Sequence, residues 1–216
     1  MRWGSRGWYA RLFAIMVLVT VDVLVDGPLR HFDWTVHEFF DTRVRDGGLA
    51  AVIVVTKLGQ RGDLAVVLGM LAVTAGVRQR SLSPLLMSAV IVIGLSLLQI
   101  VLKSALPRTF PYGDSDVLFT HGTAYPSGHT LNAFVLVWVV LELLVAAFPG
   151  VRGRLPPRRR HDISLVTGCV EAVAVTVADF HWLTDVLFSL ALGPVLLSGL
   201  IALAPFNPED ERPQRP

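Results

Sequence analysis

Charge is scarce in this chain of 216 residues: only 17% are Asp, Glu, Lys or Arg, against 53% hydrophobic, and mean hydropathy is +0.58. That balance excludes an ordinary soluble domain of this size. Cysteine is nearly absent too. Cys169 is the single cysteine and falls inside an apolar run, which excludes an intrachain disulfide and disfavours thiolate catalysis in so dry a setting, so it reads as a core residue. The formal net charge is only +2, and the basic residues sit in short clusters between apolar runs, so the pI near 9.0 reports membrane topology and gives no reason to invoke nucleic acid. Internal repeats and a second domain are also missing.

What the chain does have is apolar runs of the length a bilayer demands. A hydrocarbon core of roughly 30 Å needs about 20 residues of helix. Runs near 8–26, 62–78, 83–104, 128–148, 163–178 and 183–204 meet that need, which predicts an all-α polytopic bundle of about six transmembrane helices. Residues 1–206 read as one transmembrane domain, and 207–216 (NPEDERPQRP) as a disordered cytoplasmic tail. The start of the chain resembles a secretory signal, with Arg2, Arg6 and Arg11 ahead of LFAIMVLVTVDVLV, but no small-residue cleavage pattern follows, and an uncleaved anchor is expected. Between the first two runs, DWTVHEFFDTRV reads as an amphipathic interfacial helix. GLAAVIVVTKLG reads as an apolar piece too short to cross alone, before Gly59 and Gly62 turn the chain into the next span.

Basic residues in short loops are retained on the cytoplasmic side. Placing the N-terminus there puts Arg2, Arg6, Arg11, Arg78, Arg80, Arg152, Arg154, Arg158, Arg159, Arg160, Arg212 and Arg215 inside. The smaller set of Arg30, Arg43, Arg45, Lys57, Arg61, Lys103 and Arg108 falls outside. An integral protein of the plasma membrane with both termini cytoplasmic is expected. The loop GVRGRLPPRRRH is then a topology determinant against anionic headgroups.

This topology brings three polar elements to the outer face: Lys103 with Arg108, PSGH (126–129), and HWLTD (181–185). Ser127 is placed to cap the following helix, and Gly128 lets its free N–H groups approach an anion, so the element predicts a phosphate cradle. His129, in the first turn, can protonate a departing alcohol; alone, the stretch also fits a plain turn and cap. His181 and Asp185, four apart, are expected to meet on one helix face. There Asp185 would fix the ring tautomer and leave the other nitrogen free to attack phosphorus, although a structural His–Asp pair has the same spacing. Lys103 and Arg108 suit either snorkelling anchors or neutralisation of phosphoryl charge.

The tract KSALPRTFP (103–111), PSGH and HWLTD, in this order and with these intervening spans, resemble the three signature motifs of the type 2 phosphatidic acid phosphatase family. The likeness covers most of the chain. In that family the motifs read Lys-x6-Arg-Pro, Pro-Ser-Gly-His and Ser-Arg-x5-His-x3-Asp, on a six-helix bundle with its site at the outer leaflet. The resemblance implies His181 as nucleophile, Asp185 as its orienter and His129 as acid. It also implies that Lys103, Arg108, Ser127 and Gly128 hold phosphate, with no metal or cofactor. The chain departs from the pattern at Phe110, where the first motif has arginine, and at Ala174 and Val175, where the third has Ser-Arg. Arg108 can supply one missing contact, and Lys57 or Arg61 can reach in from the preceding segment.

The implied activity is hydrolysis of a phosphorylated lipid, such as polyprenyl pyrophosphate or phosphatidic acid, through a phosphohistidine. The implied partners are that substrate and membrane lipids. Two alternatives stand beside it. One is a non-catalytic protein that binds or moves phospholipids on the same scaffold. The other is a metal hydrolase using His121, His129, His181 and Asp185. His121, Asp114 and Asp116 lie in the loop between the first two motifs and are expected to be solvated. Glu142 and Glu171, inside predicted spans, are expected to lie far from the motifs. Glu142 is roughly 20 Å along its helix from His129.

Overall fold

The computed structural model describes residues 4–206; the predicted tail, Arg2, Arg212 and Arg215 lie outside them. Eight α-helices account for most of these residues: α1 (Arg6–Leu24), α2 (Pro28–Arg43), α3 (Asp46–Val55), α4 (Arg61–Gln79), α5 (Ser83–Ala105), α6 (Gly128–Ala147), α7 (Pro157–Val177) and α8 (Leu183–Leu203). Five of them, α1, α4, α5, α6 and α8, are long and apolar enough to cross a membrane. The sixth predicted span is α7, which begins at Pro157, six residues before its apolar run. Arg158, Arg159, Arg160 and Asp162 in its first turns, and Glu171 further on, are why composition alone does not mark it. Its 21 residues reach about 32 Å, enough for a hydrocarbon core.

Outward faces show how the bundle meets lipid. Exposed Val66, Met70, Val73 and Val77 follow one another at helical spacing on α4, as do Leu86, Val90, Ile93, Leu97 and Val101 on α5, and Val166, Val170 and Val173 on α7. A soluble protein would not leave such stripes in water. The apolar stripe on α7 matches those of its neighbours, which seats it in the bilayer with them.

At the centre stands α6, buried along most of its length and packed against α4, α7 and α8. Its Phe134 ring lies against Gly168 of α7 and Gly193 of α8. A Cβ at either glycine would overlap the ring, so two absent methyl groups set how closely the three helices approach. Around it Leu131, Val135, Val139, Leu143, Leu68 and Leu197 complete the main core.

The segment between the first two long helices divides as the sequence suggested. α2 starts with Pro28 at its first turn, where a missing N–H is harmless, and runs to Arg43. α3 has 10 residues, about 15 Å, too short to cross; it packs on α7 and ends in a 3-10 turn, Thr56–Gly59. That turn folds back onto α6, so close that a Cβ on Gly59 would collide with the His129 carbonyl and lie 2.7 Å from Glu171 Oε1. Glu171 is therefore beside the second motif, contrary to the expectation from helix spacing. Glu142 does lie towards the other end of α6, where it pairs with Arg160 at 2.8 Å.

Candidate active site

Ser127 caps α6 as its sequence context predicts. Its Oγ accepts from the Thr130 backbone N–H at 3.4 Å and from the Thr130 hydroxyl at 3.0 Å. Ser127 is fully buried, so its side chain serves the cap, while Gly128 and His129 face an open cavity of about 310 Å³. Lys103 and His181 line the same cavity, together with Gln60, Arg61, Gln99, Phe110 and Asn132. The Lys103 ammonium donates to the carbonyls of Thr123 and Pro126, which fixes it at the mouth of the 126–129 turn. The imidazoles of His129 and His181 stand across the cavity with ring centroids 6.2 Å apart, and His129 Nε2 is 3.1 Å from Gln60 Oε1. A larger cavity of about 430 Å³ opens at the opposite end among Arg152, Arg158, Arg160 and His161 and holds no motif residue.

His181 and Asp185 do come together, though not on one helix face. Trp182 is the N-cap of α8, so His181 precedes the helix and Asp185 sits in its first turn. The chain reverses after α7 at Asp179, which has φ +60°, and the backbone N–H groups of Phe180 and His181 both donate to the Val175 carbonyl. This places His181 Nδ1 3.5 Å from Asp185 Oδ2, within ion-pair range but without hydrogen-bond geometry. The other demand on Asp185 Oδ2 is the Trp182 N–H at 3.1 Å, a cap that locks the carboxylate in place. Burial pushes the His181 imidazole below its ordinary pKa, and the Asp185 carboxylate only partly offsets this. The ring is therefore neutral near pH 7.

Arg108 is the clearest departure from the sequence expectation that it holds phosphate. It is fully buried and does not line the cavity. All five guanidinium N–H groups are engaged. Nε donates to Asp116 Oδ1 at 2.7 Å, Nη1 to Thr184 Oγ1 at 2.7 Å and Asp185 Oδ1 at 2.9 Å, and Nη2 to Asp33 Oδ2 and Asp116 Oδ2 at 2.8 Å each. A planar fork with five donors is the one side chain that can fill all five of these bonds, to three carboxylates and a hydroxyl, at once. Arg108 thus aims Asp185 and anchors α2 through Asp33, which also accepts from Thr184. Arg30 shares Asp116 at 2.8 Å. Burial raises Asp33 to about 6, while the charge of Arg108 and the Thr184 and Arg108 hydrogen bonds limit the rise. Burial acts the same way on Asp116, but Arg108 and Arg30 overcome it and hold that carboxyl below its ordinary range. Asp116, expected to be solvated, is an integral part of the network.

Phe110 lines the cavity where the motif would place a guanidinium, 5.7 Å from the His181 ring and stacked on Tyr112. Val175 is buried in a small apolar cluster with Ala172 and Val186, so nothing at that position reaches the cavity. His121 is exposed and outside the cavity. Among the described residues no group of three His, Cys, Asp or Glu side chains is placed to hold a metal ion, so the donor set of the metal-hydrolase alternative does not gather.

An all-helical bundle with apolar outer faces and two histidines, a lysine and a helix N-terminus around one cavity defines an integral membrane protein with a polar site at one end. Residues 82–208 match the family model of the PAP2 superfamily, and the chain belongs to that superfamily. Among solved structures, it is similar to the crystal structure described as the first transmembrane PAP2 type phosphatidylglycerolphosphate phosphatase from Bacillus subtilis. Identity is 19%, TM-score 0.76, and the alignment covers 96% of this chain and 98% of that one. No curated protein matches the chain by sequence.

Proposed function

We propose that the protein is an integral-membrane lipid phosphatase that hydrolyses a phosphomonoester or pyrophosphate through a phosphohistidine on His181. The observation that carries this reading is the pair of imidazoles facing each other across a cavity that also holds Lys103 and the N-terminus of α6. The membrane phosphatase whose fold it shares supports the choice of reaction class.

In the first step, a His181 ring nitrogen attacks phosphorus as the bond to the lipid oxygen breaks, and the leaving oxygen takes a proton from the His129 imidazolium. In the second, water attacks the phosphohistidine, neutral His129 takes its proton, and phosphate departs with His181 restored. Asp185, 3.5 Å from Nδ1, accepts its N–H as the contact tightens around the substrate, which leaves Nε2 with the reactive lone pair. Lys103 and the amides at Gly128 and His129 balance charge on the nonbridging oxygens. Neither step needs a metal.

The cavity end of the bundle is assigned to the outer face of the plasma membrane. Arg78, Arg80, Arg152, Arg154 and Arg158 to Arg160 cluster around the ends of α4, α6 and α7 remote from it. The test is phosphate release in chelator from polyprenyl pyrophosphate, phosphatidic acid and phosphatidylglycerol phosphate in mixed micelles. Wild type should turn over one of these and His181→Ala none. Undiminished turnover by His181→Ala would overturn the mechanism, and lipid binding without turnover by wild type would favour a non-catalytic phospholipid-binding protein.

A further inference from the structure

Polar side chains inside membrane spans are expensive unless they are satisfied, and two of them sit under the cavity floor. Gln99 of α5 and Asn132 of α6 are 1% and 4% exposed. They form a one-directional chain. The Arg61 guanidinium donates to Gln99 Oε1, Gln99 Nε2 donates to Asn132 Oδ1 at 2.8 Å, and Asn132 Nδ2 donates to the Gly59 carbonyl at 3.0 Å. The chain begins at Arg61 and ends two residues before it, so it pins the turn that delivers this arginine. Among the described residues only one Arg61 nitrogen, Nη2, makes a hydrogen bond to protein, in contrast to the saturated Arg108.

Arg61 lines the same cavity as Lys103, Gly128, His129 and His181. The amide that holds Arg61 is also the group nearest Gly128. A Cβ there would lie 2.9 Å from Gln99 Oε1 and 3.8 Å from Lys103 Cε, so guanidinium, ammonium and helix N-terminus converge on one spot. Lys57, the other basic residue of this segment, points elsewhere, 3.9 Å from Asp63 on the exposed surface.

We propose that Arg61, held by the Gln99–Asn132 relay, is the guanidinium that grips the substrate phosphate in this protein. Its ligand is the terminal phosphate dianion of the lipid, and the planar fork takes two nonbridging oxygens opposite the α6 amides. The assignment rests on the phosphatase reading above and supplies the cation that Phe110 cannot.

The experiment uses the full chain in nanodiscs, with binding of inorganic phosphate measured by calorimetry beside turnover. Arg61→Gln should weaken phosphate binding and lower kcat/KM by about 10- to 100-fold, the scale of a lost charge-assisted hydrogen bond. Arg61→Lys should recover part of that loss. Gln99→Leu, which frees the guanidinium from its relay, should reduce kcat/KM in the same direction by a smaller factor. Wild-type phosphate affinity and kcat/KM in Arg61→Gln would overturn the proposal. An inactive His181→Ala beside an unaffected Arg61→Gln discards the role of Arg61 alone. An active His181→Ala discards the mechanism, while the phosphate-binding comparison still decides the grip.

Discussion

Replacing Arg108 separates two roles that a basic residue beside a phosphate site can have. In Arg108→Gln three carboxylates, Asp33, Asp116 and Asp185, lose the cation that meets all of them in a site with no solvent exposure for Arg108. Removing one partner of a buried ion pair costs about 3–5 kcal/mol. For a chain of this size each kcal/mol moves the melting temperature by roughly 2–4 °C, which gives a drop of about 6–20 °C. Arg108→Lys keeps the charge but can make at most three of the five hydrogen bonds, and an intermediate loss of about 1.5–3 kcal/mol is expected. The unfolding temperature in detergent, followed by tryptophan fluorescence, reads this directly, because the guanidinium lies 5.1 Å from the Trp182 ring centroid. Kinetics should show kcat lowered by about 10- to 100-fold as Asp185 loses its aim, with KM changed little. A phosphate-holding Arg108 predicts the reverse. Wild-type melting in Arg108→Gln, with the defect confined to KM and phosphate affinity, would refute the positioning role.

Three further outcomes are expected. Burial keeps His181 below its ordinary pKa of 6.5, so the acid limb of kcat/KM should fall below pH 6.5, and Asp185→Asn should move it lower still; an acid limb above pH 7 contradicts the assignment. His37, whose ring nitrogens lie 2.8 Å from Asp179 and 3.1 Å from Asp114, is raised above 6.5 because these carboxylates outweigh its burial. Its stabilising contribution is complete below pH 6.5 and is lost as pH rises through the raised value, so melting curves from pH 5 to 9 should show a slope that His37→Ala removes. Gly59→Ala should reduce turnover at least about 10-fold, on the scale of a misplaced reacting group, because its Cβ meets the His129 carbonyl; Gly62→Ala, with open space around it, should match wild type.

Much of this arrangement was written in short-range patterns. The long apolar runs marked the spans, and Ser127 followed by Gly and His marked a helix cap with free amides, because caps and membrane spans are set by residues near one another in sequence. The main cause of failure is distance along the chain. Arg108 looked like a phosphate ligand since its determining partners, Asp33 and Asp185, lie 75 and 77 positions away. Glu171 reads as remote from the motifs because what sets it beside His129 is the Thr56–Gly59 turn, far from it in sequence, folding back over α6. Gln99 and Asn132 did carry a usable signal as amides within apolar spans, where a polar side chain calls for a partner. The start of α7 was misplaced because its first turns are basic, and apolar content locates the lipid-facing stretch and not the hydrogen-bonded helix.

The Arg108 cluster also bears on how the protein is made. Its acceptors come from α2, from the loop after α5 and from the first turn of α8, so the five hydrogen bonds of Arg108 can be completed only after the last long helix is in place. Until then both Nη1 donors of Arg108 lack their acceptors, Thr184 and Asp185, and a buried donor without a partner is costly. Completion of the chain is thereby coupled to closure of that face, and the arginine that orients Asp185 is itself fully satisfied only once the helix carrying Asp185 has docked.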